Sequence, residues 1–204
     1  MSPKAPDAVV MEIVEAGRFL SARGWVPATS GNFSRRIDAG TIAITVSGAD
    51  KGELRHDQVT TISLHAPLPA GVSAETPVHV VLYQRNPDVG AVLHTHSVAA
   101  TVVSLAHHGK ASLPLAGYEL VKGMRGYQSH EEILYLPLFE NTQDMNGLAR
   151  DIGDRMTAAP GCCGFLLAGH GLYAWGATMR EARRHIEALE FLLACELERG
   201  RYRP

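Results

Sequence analysis

The sequence predicts an α/β fold built around a mixed or substantially antiparallel sheet. Helical and strand patterns alternate along the 204 residues, and neither a low-complexity linker nor an internal repeat divides them, so we expect one domain over residues 1–204. Several predicted strands follow one another with no helix between them, which is typical of antiparallel pairing. With 46% hydrophobic and 20% charged residues, the chain has the composition of a globular domain with a sizeable core.

The first three predicted elements are a helix and two strands. Residues 7–22 carry apolar residues at helical spacing, and Gly24 marks the stop. The β-branched runs 41–48 and 59–64 are bounded by Gly, Asp and Pro residues, which predicts a strand for each run.

The middle of the chain is predicted to form a helix, a strand and a second helix. Thr76 is the candidate N-cap of the first helix, Pro77 takes its first helical position, and an Asn-Pro pair at 86–87 ends it. An apolar strand that ends at His96 follows, and a helix from about 97 to 106 comes next.

The C-terminal part predicts a strand, a helix, two more strands and a long final helix. The strand covers 132–138 and the helix covers 142–156. Residues 164–176 predict two strands joined by a tight glycine turn. The final helix covers 178–200 and opens with a Thr-Met-Arg-Glu capping box.

Charge and hydropathy exclude several classes of partner. The formal net charge is −2 and no long block of one sign occurs, so neither nucleic acid nor a membrane surface is expected as a partner. No apolar run approaches the roughly 20 residues that a membrane span needs, and the N-terminal segment mixes acidic with apolar residues, unlike a signal peptide. The three cysteines form neither a disulfide framework nor a CxxC motif. A cytoplasmic protein is expected.

Two histidines one residue apart stand at the end of a predicted strand. Residues 93–97 are Leu-His-Thr-His-Ser, after an apolar run. On a strand, residues i and i+2 share a face, whereas on a helix they point in nearly opposite directions. His94 and His96 therefore form either a pair of metal ligands or a hydrogen-bonded pair at a sheet edge, and the spacing alone leaves both readings open.

His170 is the candidate third ligand. It lies between two glycines after an apolar strand, where the backbone can turn sharply and aim the ring. Alone it would be a solvated turn histidine, but together with His94 and His96 it gives three imidazoles and one open position, the pattern of a catalytic zinc site. His79 lies inside a predicted helix and is expected to pack rather than to coordinate metal.

Two runs of small residues are candidate anion sites. Residues 28–34 are Ala-Thr-Ser-Gly-Asn-Phe-Ser, and residues 46–48 are Val-Ser-Gly. Such runs bring backbone N–H donors close to a phosphate, although an ordinary turn would explain each run equally well. Lys51 and Lys122 either add positive charge to the site or are solvated surface groups.

A set of motifs in this order resembles the class II aldolase superfamily, and within it the dehydratase branch of methionine salvage. The resemblance covers about residues 10–198 and rests on TSGNFS, VSG, SAETPVH, HTHS, YELVKG, ENTQD and GHGLYAWG. It implies an αβα layered single domain around a mixed, largely antiparallel sheet. It also implies one catalytic Zn²⁺ per subunit, a small-molecule sugar phosphate as substrate, and a homotetramer whose active sites lie near subunit boundaries.

The resemblance assigns roles residue by residue. The zinc ligands are His94, His96 and His170, and the acid–base residue of the dehydratase branch is Glu119. Glu75 falls where the aldolase branch carries its own acid–base or metal-binding carboxylate, so it is a second catalytic candidate. The substrate-binding candidates are Gly31, Asn32, Ser47, Gly48 and Lys122.

The implied chemistry places a condition on Glu119. Dehydration of a ketose phosphate removes the C3 proton beside a C2 carbonyl that zinc polarises. A carboxylate that takes this proton is expected in a partly dry site, where its pKa rises towards neutrality. Two alternatives share the same zinc site: an aldolase or epimerase acting on another sugar phosphate, and a zinc-binding interaction protein without catalysis.

Overall fold

Eight strands form one sheet within residues 4–158 and 162–201, the part of the chain that the computed structural model describes. In chain order they are β1 (Asn32–Arg36), β2 (Thr41–Thr45), β3 (Val59–Ser63), β4 (Ala91–Thr95), β5 (Ser112–Leu115), β6 (Leu134–Phe139), β7 (Gly164–Leu167) and β8 (Gly171–Gly176). They lie in the order β3-β2-β1-β4-β8-β7-β6-β5. Every neighbouring pair is antiparallel except β6 and β7. The prediction of a mixed, largely antiparallel sheet is confirmed.

Helices cover both faces of this sheet, which gives the expected αβα layers. They are α1 (Asp7–Ser21), α2 (Thr76–Arg85), α3 (Val98–Ala106), α4 (Met145–Ala158) and α5 (Met179–Arg201). Neighbouring residues of β4 point to opposite faces: Leu93 packs in the core beneath α1, α3 and α5, and Val92 packs in the core beneath α2 and α4. Among the described residues no helix is both long and apolar enough to span a bilayer.

All predicted helices and all six predicted strands are present, but β1 and β5 were not predicted. The small-residue run 28–34 predicted an anion site or an ordinary turn, whereas residues from Asn32 onwards form a strand between β2 and β4. The buried residues Asn32 and Ser34 are polar. The strand therefore lacks the apolar residues at every second position that would predict it. Strand β5 contains Pro114, which an edge strand tolerates because its outer N–H groups need no partner.

The two predicted helix caps differ from expectation in detail. Glu75, not Thr76, occupies the N-cap position of α2, and no side chain caps that end. Thr76 is already the first helical residue, and its hydroxyl is buried without a hydrogen-bond partner among the described residues. At α5, Thr178 Oγ1 accepts from the Glu181 N–H at 3.1 Å as predicted, but the Glu181 carboxylate accepts from the Ala177 N–H at 2.8 Å.

A carboxyl group is buried where α5 packs beneath β4. Glu190 is 2% exposed, and its Oε1 accepts a hydrogen bond from Thr95 Oγ1 at 2.6 Å. Its Oε2 is buried without a hydrogen-bond partner among the described residues. Burial raises the pKa of Glu190 to about 7 from its ordinary 4.5, although hydrogen bonds from Ser97 and Thr95 oppose the shift.

We expect Glu190→Gln to stabilise the protein at pH 8 much more than at pH 4. Because the folded state holds a proton on Glu190 that the unfolded chain releases, stability falls as pH rises from about 4.5 to about 7. Above that pH range, the full pKa shift corresponds to a loss of about 3 kcal/mol in the free energy of unfolding of the unmutated protein. Urea unfolding at both pH values measures it, with Glu198→Gln, an exposed glutamate of α5, as the control. A gain in stability that is the same at both pH values would contradict the raised pKa of Glu190.

Candidate metal centre

The three predicted zinc ligands converge at one end of the sheet. His94 lies in β4, His96 follows the last residue of that strand, and His170 lies in the turn between β7 and β8. Because β4 pairs with β8 in a register that sets Thr95 opposite Leu172, the turn falls beside the end of β4. The ring centroids of His94 and His96 are 4.5 Å apart, and that of His170 lies 5.1 and 4.6 Å from them.

The glycines around His170 allow this approach. Gly169 has a φ of +64°, in the left-handed region that favours glycine. A Cβ on Gly171 would overlap the carbonyl oxygen of Thr95. The Gly-His-Gly motif is therefore required by the backbone, and it holds the imidazole at the end of the neighbouring strand.

Hydrogen bonds at Nδ1 fix which nitrogen two of the histidines present. His94 Nδ1 donates to the carbonyl oxygen of Leu172 at 3.0 Å, and His170 Nδ1 donates to Asn141 Oδ1 at 3.2 Å. Their Nε2 atoms are then the free ligand atoms, as in most histidine metal sites. The Nε2 atoms of His94 and His96 are buried and, within the described residues, form no hydrogen bond.

Glu75 completes the group. Its Oε1 lies 2.9 Å from His170 Nε2, and its Oε2 lies 3.6 Å from His94 Nε2. One ligand atom from Glu75, His94, His96 and His170 can be chosen so that all four atoms lie within 4.8 Å of one another. The four side chains form a group that can hold a metal ion.

The charge states suit metal binding. Burial lowers the pKa of His96 to about 3, and the neighbouring His94 adds to the shift; burial also lowers the pKa of His94. Both rings are therefore neutral, as ligation requires. Burial alone would raise the pKa of Glu75, but the His170 and His94 rings that face its carboxylate lower it well below its usual range. Three imidazoles and one carboxylate match zinc and similar transition metals better than magnesium or calcium, which prefer oxygen ligands.

A cavity of about 610 Å³ adjoins three of the four side chains, Glu75, His96 and His170. Its remaining walls come from several loops, from α3 and from the start of α4, through Ser47, Ser73, Ala74, Thr101, Asn141, Gln143, Met145 and Gly169. Of these eight residues, only Ser47 was a candidate from the sequence. Ser73 lies two residues before Glu75 in the SAETPVH motif and Asn141 lies in the ENTQD motif, so those motifs carried the signal for both residues.

The other phosphate-binding candidates occupy three different positions. Gly48 has a φ of +72° and open space around it, next to the cavity residue Ser47. Gly31 has a φ of +75°, and a Cβ there would lie 2.6 Å from the His94 carbonyl oxygen, so glycine lets β1 approach β4. Asn32 lies behind Glu75, and its Nδ2 donates to Glu75 Oε2 at 2.5 Å.

Glu119 and Lys122 lie outside this cavity in their own chain. Both are on a short 3-10 helix, Glu119–Gly123, and their side chains are 67% and 44% exposed. They form an ion pair, and His130 Nδ1 lies 3.5 Å from Glu119. The hydrogen bond from Lys122 lowers the pKa of Glu119. The expectation of a partly dry glutamate with a raised pKa is therefore wrong for the single chain, because nothing in the described part of the chain covers it.

Lys51 is also placed differently from a solvated surface lysine. It is 1% exposed, and its Nζ donates to the carbonyl oxygens of Thr29 and Ala49 at 2.8 and 2.5 Å. Burial lowers its pKa, while the charges of Asp50 and Glu75 act in the opposite direction. The ammonium group thus ties together the two loops that contain the predicted anion sites.

Known proteins share both the sequence and the fold. The methylthioribulose-1-phosphate dehydratase of Marinobacter nauticus is 53% identical over 194 residues, which cover 94% of this chain and 93% of that protein. The protein of the same name from Pectobacterium atrosepticum is 46% identical, with 92% of each chain covered. The crystal structure of L-fuculose-1-phosphate aldolase from Thermus thermophilus is 25% identical with a TM-score of 0.78, and covers 96% of this chain and 97% of that one.

The family described as the class II aldolase and adducin N-terminal domain matches residues 11–197, almost the entire chain. That match includes all four members of the metal-binding group and every loop that lines the adjoining cavity. Together with the relatives' identity over more than nine tenths of the sequence, it shows that this chain belongs to the class II aldolase and adducin N-terminal domain family.

Proposed function

We propose that this protein is a zinc-dependent hydro-lyase that dehydrates 5-methylthioribulose 1-phosphate to 2,3-diketo-5-methylthiopentyl 1-phosphate in methionine salvage. The observation that carries the proposal is the group of three histidines and one carboxylate, of which Glu75, His96 and His170 line a cavity. The names of the relatives that match over nearly the whole chain support the choice of substrate.

Zinc held by His94, His96 and His170, with Glu75 as a fourth group, would act as a Lewis acid on the substrate carbonyl. The chain's own residues orient the rest of the molecule. Ser47 and Ser73 line the cavity with small side chains, and Gly48 adjoins Ser47; such residues let backbone N–H groups approach a phosphate. Anchoring the phosphate holds C3 and C4 in line with the reacting groups.

Proton transfer at C3 is assigned to Glu119. Because Glu119 is exposed and lies outside the cavity of its own chain, we propose that it acts at the cavity of a neighbouring subunit in a homotetramer. Subunit contact would remove water from the carboxylate and raise its pKa, so that it takes the C3 proton and returns it to the departing C4 hydroxyl. Glu75 is ionised and held on both oxygens, which suits a metal ligand better than a base. The homotetramer and the cytoplasmic location remain predictions.

Purified, zinc-loaded protein with two substrates tests the proposal. With methylthioribulose 1-phosphate we expect the diketone, and with fuculose 1-phosphate we expect no lactaldehyde. Lactaldehyde alone would favour an aldolase, the alternative suggested by Glu75 and by the likeness to the Thermus aldolase structure. No turnover of either substrate by protein that retains zinc would favour a non-catalytic role.

We expect Gly48→Val to raise KM for the phosphorylated substrate by about tenfold or more, a loss of about 1.4 kcal/mol of binding. The new side chain would lie beside Ser47 at the cavity wall. The metal ligands belong to other parts of the chain, so zinc content should not change. Gly109→Val is the matched control, since Gly109 also has a positive φ, +82°, and open space around it, and does not line this cavity. An equal KM in both variants would remove Gly48 from the phosphate site.

A further inference from the structure

A continuous line of hydrogen bonds runs from the core to the metal centre. Tyr83 OH lies 2.9 Å from Ser34 Oγ, which lies 2.7 Å from His79 Nδ1. His79 Nε2 lies 2.5 Å from Asn32 Oδ1, and Asn32 Nδ2 lies 2.5 Å from Glu75 Oε2. The first four of these side chains belong to residues that are at most 3% exposed. Glu75, the last, is the carboxylate of the metal-binding group.

The line exists because a helix face meets a strand face. Glu75, His79 and Tyr83 are spaced four residues apart at the start of α2 and along it, which puts them on one side of the helix. Asn32 and Ser34 are two residues apart on β1, which puts them on one side of the strand. The two sets interleave, and each strand residue bridges two helix residues. Neither motif alone, E-x-x-x-H-x-x-x-Y or N-x-S, indicates this arrangement.

Every bond in the line has one direction. The carboxylate of Glu75 can only accept, so the Asn32 amide group donates to it and the Asn32 oxygen faces His79. His79 Nε2–H must then donate to that oxygen, and His79 Nδ1 accepts from the Ser34 hydroxyl. Ser34 Oγ in turn accepts from the Tyr83 hydroxyl. Both nitrogens of His79 are occupied, so this histidine is not a metal ligand.

We propose that His79 is a positioning residue for the metal centre: by donating to Asn32 it fixes the side-chain amide that orients the Glu75 carboxylate among the three histidines. The inference rests on the metal site of the proposed function but not on the identity of the substrate. Removing a hydrogen bond to a ligating group costs about 10- to 100-fold in metal affinity. His79 acts one bond further out, through Asn32, so we expect the lower end of that range. A histidine that only filled space in the core would have no such effect.

Two replacements of His79 separate the effect of its donated hydrogen bond from the effect of its packing in the core. His79→Leu keeps much of the volume and removes both nitrogens, and we expect about tenfold weaker Co²⁺ and Zn²⁺ affinity together with a changed Co²⁺ d–d spectrum. His79→Gln can place its amide N–H near the position of Nε2, so we expect an affinity within about threefold of the wild type. Affinity is measured by chelator competition on the full chain without substrate.

A second buried histidine provides the control. His185 on α5 is fully buried and donates from Nδ1 to the Trp175 carbonyl oxygen at 2.6 Å, in the core but outside this line. His185→Leu should lose comparable stability in urea unfolding and keep its metal affinity. If His79→Leu does not fold, Ser34→Ala takes its place, because it removes the donor to Nδ1 and leaves Nε2–H less firmly held.

Two results would overturn the proposal. One is a folded His79→Leu, or Ser34→Ala in its place, with wild-type Co²⁺ affinity and spectrum. The other is a His79→Gln variant as weak as His79→Leu, because then the donated hydrogen bond is not what matters. Since these are binding measurements without substrate, a failure of the dehydratase assay would leave their outcome intact, and the two proposals fail separately.

Discussion

His96→Ala is expected to lose its metal and its activity together. The Nε2 atom of His96 is buried and has no hydrogen-bond partner among the described residues, so metal ligation is the role that the geometry leaves for it. Three imidazoles and one carboxylate give little redundancy. The loss in affinity should therefore exceed the 10- to 100-fold typical of an outer hydrogen bond.

Metal analysis after dialysis and steady-state kinetics measure this effect. His65→Ala is the control, because His65 is exposed and does not belong to the metal-binding group. It should retain full metal content and activity. A His96→Ala protein with full zinc occupancy and normal turnover would remove His96 from the metal site.

Glu119→Gln is expected to lower kcat by about 100-fold or more while zinc content and substrate binding are kept. Glutamine preserves the shape of the side chain but cannot take a proton. Glu75→Gln should behave differently and lose metal affinity as well, because the carboxylate of Glu75 lies 2.9 Å from His170 Nε2. If Glu75→Gln abolished turnover with zinc intact and Glu119→Gln were fully active, the base would be Glu75.

Mixed oligomers test whether Glu119 serves a neighbouring subunit. In this scheme neither variant is active alone. In a mixed tetramer, a Glu119→Gln chain supplies an intact metal group, and a neighbouring His96→Ala chain supplies an intact Glu119. Equal random mixing in a cyclic tetramer should restore activity at about a quarter of the sites. Activity that stays at the level of the two parent variants would place Glu119 in its own chain's site or outside the site altogether.

Local periodicity made most of the fold predictable. Apolar residues recur at helical spacing in α1 and α5, and β-branched runs mark β2 and β3, so each element could be identified from its own residues. Strand β1 was missed because Asn32 and Ser34, on the face that meets α2, are polar although they are buried. Their burial depends on partners in α2, and no pattern within β1 itself indicates those partners.

The sequence by itself identified the three imidazoles as candidate ligands, because the spacing of His94 and His96 on a strand and the glycines beside His170 are local facts. Only the tertiary structure decided which carboxylate joins them. Glu75 starts a helix that packs against β1 and reaches the histidines, whereas Glu119 lies on the surface with a lowered pKa and Lys51 is buried. Burial and charge environment are set by distant segments that pack around a side chain, so residue type and spacing could not assign them.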